Sequence, residues 1–544
     1  MNKNLKVIFF LPILLLFTSS QKTEEDYFEI SKNLKLMASV YEKVNTFYVD
    51  EVSPGKVMKD GIDAMLKSLD PYTVYISESQ IEDFRFTTTG EYGGVGATIK
   101  ARDGKMIISE LYENSPALKS GLSPGDLIIS IDNISIDKKS LEEVGSLLKG
   151  PAGSKTELKI QRNNKKQLVI VEREDIQIPA VNFKKKITNN TGIIKLSSFT
   201  STASTEFKEA LTQLKQENID NLIIDLRSNG GGLLNEAVKI VNLFIPKGEV
   251  VVKTKSRIPE MNRTYTTQEQ PTALDIPIIV LIDEMSASAS EIVAGSLQDL
   301  DRAIIIGNTS YGKGLVQQTK QVSFGGQIKL TVAKYYTPSG RCIQKIDYSK
   351  DKGPSNKIAD SLVKHFKTRN GRSVTDSRGV EPDIKVDQEY FNAITEALLL
   401  EDVIFNYVNK IYPYFKKDSL NPTTFSLNDS LYESFTQYVS NKEITYQTKS
   451  NFHLEELKEV AVKEKYLEEN IQLFLKMDSV FKTDISRDLI KYKEEIKFFL
   501  ENEIISRKHF QKGRVEASIK QDPYIKKSLE IFSNDSLSKV ILGN

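Results

Sequence analysis

The strongest constraint on the fold lies between residues 192 and 340. Short apolar runs, "GIIKL", "NLIIDL", "IPIIVLI" and "RAIIIG", are separated by stretches with helical spacing at Thr205–Glu217, Leu234–Phe244 and Ser288–Leu300. Strand-length runs that are apolar on both faces, alternating with amphipathic helices, predict a sheet of parallel strands covered by helices. In such sheets the functional residues stand at the carboxyl ends of the strands.

Three segments follow those strand ends. "LIIDLRSNGGGLLNEA" places Gly230, Gly231 and Gly232 between a strand and a helix. A tight connection needs one glycine; three let backbone N–H groups converge on a ligand oxygen, as in an anion nest or oxyanion hole. "DEMSASASEIVAG" brings a serine to a helix start, where Ser288 and Glu291 form an S-x-x-E capping box. Capping alone would explain that serine, and Ser286 and Ser290 beside it leave the choice of hydroxyl open. The third segment, "GNTSYGKG" at 307–314, nearly fits a phosphate loop, with Gly307, Gly312 and Lys313 in place. However, Gly314 occupies the hydroxyl slot. A phosphate loop also needs a helix at its lysine, whereas "LVQQTKQVSFGGQIKLTVAKYY" reads as paired strands. No nucleotide is expected.

The available base follows from what the chain lacks. Its histidines, His365, His453 and His509, are far apart in sequence. A serine at a helix start, a lysine in a glycine turn and a glycine-rich loop read most economically as a serine–lysine dyad. Cys342 is the only cysteine, so no intramolecular disulfide can form. With no H-E-x-x-H or C-x-x-C pattern, neither a metal nor another cofactor is expected. Lys plus Arg (74) and Asp plus Glu (73) nearly cancel, leaving +1; no global basic field points to nucleic acid.

At 544 residues the chain exceeds one ordinary core. Lys3 and Lys6, an apolar run from Val7 to Phe17 and small polar residues after it read as a secretory signal peptide over 1–22. The expected location is exported and periplasmic, with membrane association if the segment is left uncleaved. Residues 23–89 read as a helical N-terminal region, 90–165 as a small module of short strands and two helices, and 166–388 as the α/β core. Residues 389–544 are Lys/Glu-rich and read as a helical C-terminal accessory domain, with an adaptor protein or a second copy of the chain as its candidate partners.

Beyond its residue types, "SASASEIVAGSLQDLDRAIIIGNTSYGKGLVQ" resembles the signature of the C-terminal processing peptidases, or tail-specific proteases. "DLRSNGGGLL" and "GVEPDI" at 379–384 look like the same family's other landmarks. The resemblance covers roughly residues 35–385. It implies a ClpP/crotonase-like α/β protease core with an inserted PDZ domain. It also implies that Ser288 is the nucleophile, Lys313 the general base and Gln317 its support, with the amides of Ala289 and Gly231 as the oxyanion hole. Gly230 departs from the family, which often has proline there. Residues 91–165 are similar to the family's PDZ domain: Gly94, Val95, Gly96 and Ala97 match its carboxylate-binding loop, and "NSPALKSGLSPGDLIISID" its helix–turn–strand.

The function implied is an exported serine endopeptidase that reads free, apolar C-terminal tails of proteins and cuts through an acyl-enzyme. A lysine base has to be uncharged, so Lys313 is expected to be buried among apolar groups, with Gln317 accepting one amine hydrogen. The second reading is a non-catalytic PDZ binding protein on a protease-like scaffold.

Overall fold

The computed structural model describes residues 21–348, 357–387, 391–416 and 418–543. The signal peptide expected at 1–22 lies, over residues 1–20, outside the described residues. Two compact units are present: one runs up to Tyr75 and includes Thr319–Leu330, and the other comprises Ile76–Gln318 with Thr331–Asn544. The smaller unit carries the helices Gln21–Phe47 and Pro54–Lys67. Pro54 begins the second helix at a position whose N–H is unsatisfied in any case.

In the larger unit a six-stranded sheet forms the core. Its strands, Val181–Lys186, Thr191–Leu196, Asn221–Asp225, Ile278–Ile282, Ala303–Gly307 and Ile384–Lys385, lie side by side in chain order. The first pair is antiparallel and the rest are parallel. Alternate residues face opposite sides. Leu222, Ile224, Val280, Ile282 and Ile305 pack under the helices Ala203–Gln216, Leu234–Asn242 and Ala289–Asp299.

Ile223, Ile279, Leu281, Ile304 and Ile306 face the other way, against Tyr524, Ile525 and Ile531. The helices Pro523–Phe532 and Asp535–Ile541 thus form the second layer over the sheet, while ending a helical region that begins at Ala393. The rest of that region has its own core, around Leu398, Tyr407, Phe435 and Leu500.

The inserted module is a sheet ordered Ala97–Arg102, Lys105–Leu111, Leu127–Ile131, Lys155–Arg162 and Lys165–Glu172, with helices Pro116–Lys119 and Leu141–Leu148. Ala97–Arg102 is an edge strand, so one side of its ladder has no strand partner among the described residues. The Val95 carbonyl accepts from Ala117 N–H at 2.8 Å and the Gly96 carbonyl from Tyr112 N–H at 3.1 Å. Gly96 has φ +72°, and a Cβ there would stand 2.5 Å from Ser115 Cβ, so only glycine fits.

Candidate active site

The three strand ends singled out in the sequence converge in space. Asn221–Asp225, Ile278–Ile282 and Ala303–Gly307 are adjacent parallel strands, so the loops after them share one edge of the sheet. Ser288 stands between strand and helix at φ 58°, ψ −111°. A positive φ at a non-glycine residue costs on the order of 1–3 kcal/mol and persists where the surroundings over-determine it.

The surroundings do so here. The Ser288 carbonyl accepts from Ile292 N–H at 3.0 Å and from the Tyr335 hydroxyl at 3.1 Å. Burial lifts the Tyr335 hydroxyl well above its usual titration range, so it remains a donor. The neighbouring serines have other partners: Ser286 Oγ donates to the Leu226 carbonyl at 2.8 Å and Ser290 Oγ to the Asn229 carbonyl at 2.9 Å, both fully buried. Ser288 alone of the three is partly exposed. Of the three hydroxyls, those of Ser286 and Ser290 are thus engaged by carbonyls distant in sequence.

Glu291 joins the serine turn to the lysine turn. Its carboxylate is fully buried and accepts four hydrogen bonds: Ser288 N–H (2.8 Å) and Lys313 N–H (2.9 Å) on Oε2, and Ser310 Oγ (2.6 Å) and Gly312 N–H (2.7 Å) on Oε1. Because one oxygen receives both amides, the main chains of residues 288 and 313 meet at Glu291. Tyr311 N–H adds a direct tie to the Ser286 carbonyl at 3.0 Å. Burial pushes the Glu291 carboxyl above its ordinary range, and the four donors offset only part of that rise. Ser310 also accepts from Val380 N–H at 2.7 Å, which brings in "GVEPDI".

Lys313 is half-buried, not enclosed as expected. Gln317 is half-buried on the following strand, and its amide nitrogen donates to Thr331 Oγ1 at 3.2 Å. A strand, Leu315–Gln321, leaves the lysine turn where a phosphate loop would start a helix.

Asn229 organises the glycine loop. Its side chain donates to the Leu196 carbonyl at 2.7 Å and accepts from Gly231 N–H at 2.9 Å, and its carbonyl accepts from Ala287 N–H at 3.0 Å. Gly231 therefore lies against the serine turn: a Cβ on it would stand 2.8 Å from Ser288 Cβ and 2.9 Å from Ala289 N. Yet the Gly231 amide, the predicted oxyanion donor, is turned to Asn229 and must leave that bond to receive an oxyanion. Ala289 N–H, at the first position of the helix, has no intrahelical acceptor.

Upstream, Asp225 is buried. Its burial would raise the carboxyl, but Arg227 and Lys195 outweigh that and hold it well below the usual carboxylate range. Sequence reasoning gave no role to Asn229, Ser310 or Tyr335, and read Glu291 as a cap only. An asparagine before three glycines and a hydroxyl before "GKG" were the available signals; Tyr335 offered none. Among the described residues no cluster of His, Cys, Asp and Glu could hold a metal ion, and no helix is long and apolar enough to cross a membrane.

Residues 190–352, which hold all of these loops, match Peptidase family S41. This stretch is thus similar to S41 peptidases over about three tenths of the chain. Residues 107–162 match a PDZ domain, and 394–532 match the C-terminal helical domain of probable PDZ-proteases. The chain is 33% identical over 312 residues to a probable CtpA-like serine protease of Staphylococcus epidermidis, covering 57% of this chain and 63% of that protein. It is 35% identical over 313 residues to the counterpart from Staphylococcus aureus strain bovine RF122, covering 57% and 62%. The chain thus spans less than two thirds of the length of these relatives. Among solved structures, the photosystem II D1 C-terminal processing protease matches at 25% identity and TM-score 0.37, covering 65% of this chain and 92% of that one.

Proposed function

We propose that the protein is an exported serine endopeptidase that takes the free, apolar C-terminal tail of a polypeptide into its PDZ domain and cuts the chain with a Ser288–Lys313 dyad. Lys313, as a neutral amine, takes the proton from Ser288 Oγ as the oxygen attacks a peptide carbonyl carbon. Ala289 N–H and one amide of the Gly230–Gly232 turn stabilise the charge that develops on the carbonyl oxygen. The leaving amine takes the proton from Lys313, and water then releases the acyl group from Ser288. Gln317 supports the lysine. The single observation that best supports this reading is the Glu291 carboxylate, which draws the main chains of Ser288 and Lys313 onto one oxygen while Ser286 and Ser290 are engaged elsewhere.

Tail recognition would use the open edge at Ala97–Arg102, where a peptide adds a strand and its terminal carboxylate reaches the Gly94–Ala97 loop. The test is a peptide with an apolar C-terminus, free or amidated, incubated with wild type, Ser288→Ala and Lys313→Ala, with the fragments read by mass spectrometry. Wild type is expected to cut the free form and to spare the amidated one, and both variants to cut neither. Equal background with all three proteins would leave a PDZ binding protein on a protease scaffold; equal cleavage of both peptides by wild type would refute tail reading alone. N-terminal sequencing of the mature protein tests export, with a new terminus expected near residue 22.

A further inference from the structure

The helix Pro523–Phe532 does more than cover the sheet. Its cap residue, Asp522, accepts from Tyr524 N–H at 2.9 Å and Ile525 N–H at 3.1 Å through Oδ1, and its Oδ2 lies 2.8 Å from Arg227 Nη2. Arg227 also forks onto Asp225, with Nε to Oδ1 at 2.9 Å and Nη2 to Oδ2 at 2.8 Å, and its guanidinium lies 4.8 Å from the Tyr524 ring centre. The Tyr524 hydroxyl accepts from Asn308 Nδ2 at 3.3 Å.

Arg227 and Asn308 follow two of the strands that end at the candidate active site. From Arg227 the chain passes to Ser228, whose amide donates to both Asp283 oxygens at 2.9 Å, and Asp283 accepts from Ser286 N–H at 3.0 Å. The next residue, Asn229, orients Gly231. Asn308 opens the loop that carries Ser310 and Lys313. One helical turn from the far end of the chain therefore grips the starts of both the glycine loop and the lysine loop.

We propose that Asp522 and Tyr524 are positioning residues for the S41 site, and that the C-terminal helical region is a working part of that site through them. The proposal rests on the serine–lysine reading above. Asp522 and Asp225 both engage Arg227 Nη2 through their Oδ2 atoms, and Tyr524 holds Asn308, so the main chains of the glycine turn and the lysine turn are held at a constant spacing from Ser288. Misplacement of reacting groups by about 1 Å costs on the order of a hundredfold in rate, so the loss of one such restraint is read in kcat.

The test uses Asp522→Asn and Tyr524→Phe in the full chain. Asparagine caps a helix as well as aspartate does but lacks the charge for Arg227, and phenylalanine keeps the ring while removing the hydroxyl. Each variant is expected to lower kcat about tenfold with KM within about twofold and the melting temperature close to wild type. Lys527→Ala, which removes only the exposed pair with Glu530 on the same helix, is expected to keep the wild-type kcat. If wild type is no faster than Ser288→Ala, the peptidase reading itself has failed. Where wild type is active through Ser288, an unchanged kcat in both variants overturns the positioning role. A fall in kcat matched by an equal fall in the folded fraction overturns it as well, because the residues would then be structural only.

Discussion

Glu291→Gln changes one carboxylate oxygen to an NH2 group and removes the charge. Two donors point at each oxygen. If the amide keeps its oxygen toward Ser288 and Lys313, its NH2 faces Ser310 and Gly312. The Ser310 hydroxyl can turn to accept, but Gly312 N–H cannot, and one buried amide left unpaired costs about 1–3 kcal/mol. The opposite orientation strands both the Ser288 and the Lys313 amides and is worse. The surviving bonds also weaken, because hydrogen bonds to an ionised acceptor contribute about 1.5–3 kcal/mol against ~1 for neutral pairs. The expected loss is about 2–4 kcal/mol, a substantial part of a typical total of about 5–15. Glu291→Ala strands three amides and approaches that total, so glutamine is the informative variant. The serine and lysine turns share this acceptor, so kcat is expected to fall between about tenfold and a hundredfold. KM should move little on the proposal that tails bind at the PDZ domain, away from Glu291. Urea unfolding followed by circular dichroism and steady-state kinetics on a tail peptide measure the two effects. A glutamine variant with wild-type stability and wild-type kcat would refute the role given to Glu291.

Two further outcomes follow from the same geometry. Gly231→Ala places a Cβ 2.6 Å from the Ala287 carbonyl oxygen at φ +99°, whereas a Cβ at Gly230 meets nothing within 4 Å. The first is expected to cost more than about 2 kcal/mol and to abolish cleavage, the second to be nearly neutral in denaturant midpoint and rate. Asp225 titrates below the usual carboxylate range, so its stabilisation is full above that range and is lost as pH falls through the native value. Between about pH 6 and pH 3 the wild type should therefore lose more stability than Asp225→Asn, and equal slopes would contradict this.

Much of the site was legible because its chemistry is local in sequence. The serine before the helix, the lysine in its glycine turn and the strand-ending loops could be read from runs of a few residues. The helix–turn–strand read in "NSPALKSGLSPGDLIISID" occurs as the helix Pro116–Lys119 followed by the strand Leu127–Ile131. The illegible parts depend on partners far along the chain. Nothing near Ser286 or Ser290 announces that Leu226 and Asn229 carbonyls take their hydroxyls. The periodicity of Pro523–Phe532 marks an apolar face, but not that this face covers Ile223 and Leu281 or that its cap meets Arg227. The Gly231 amide was implied by the family resemblance, and only the Asn229 side chain shows where it points.

The central claim, a Ser288 hydroxyl activated by Lys313, is tested most directly by trapping the acyl-enzyme. Wild type and Lys313→Ala are exposed to an activated peptide ester, and intact mass followed by peptide mapping locates the adduct. The account predicts a single acyl group on Ser288 in wild type and none in Lys313→Ala under the same exposure. Equal acylation of Ser288 in both proteins, or an adduct on a different residue, would contradict it.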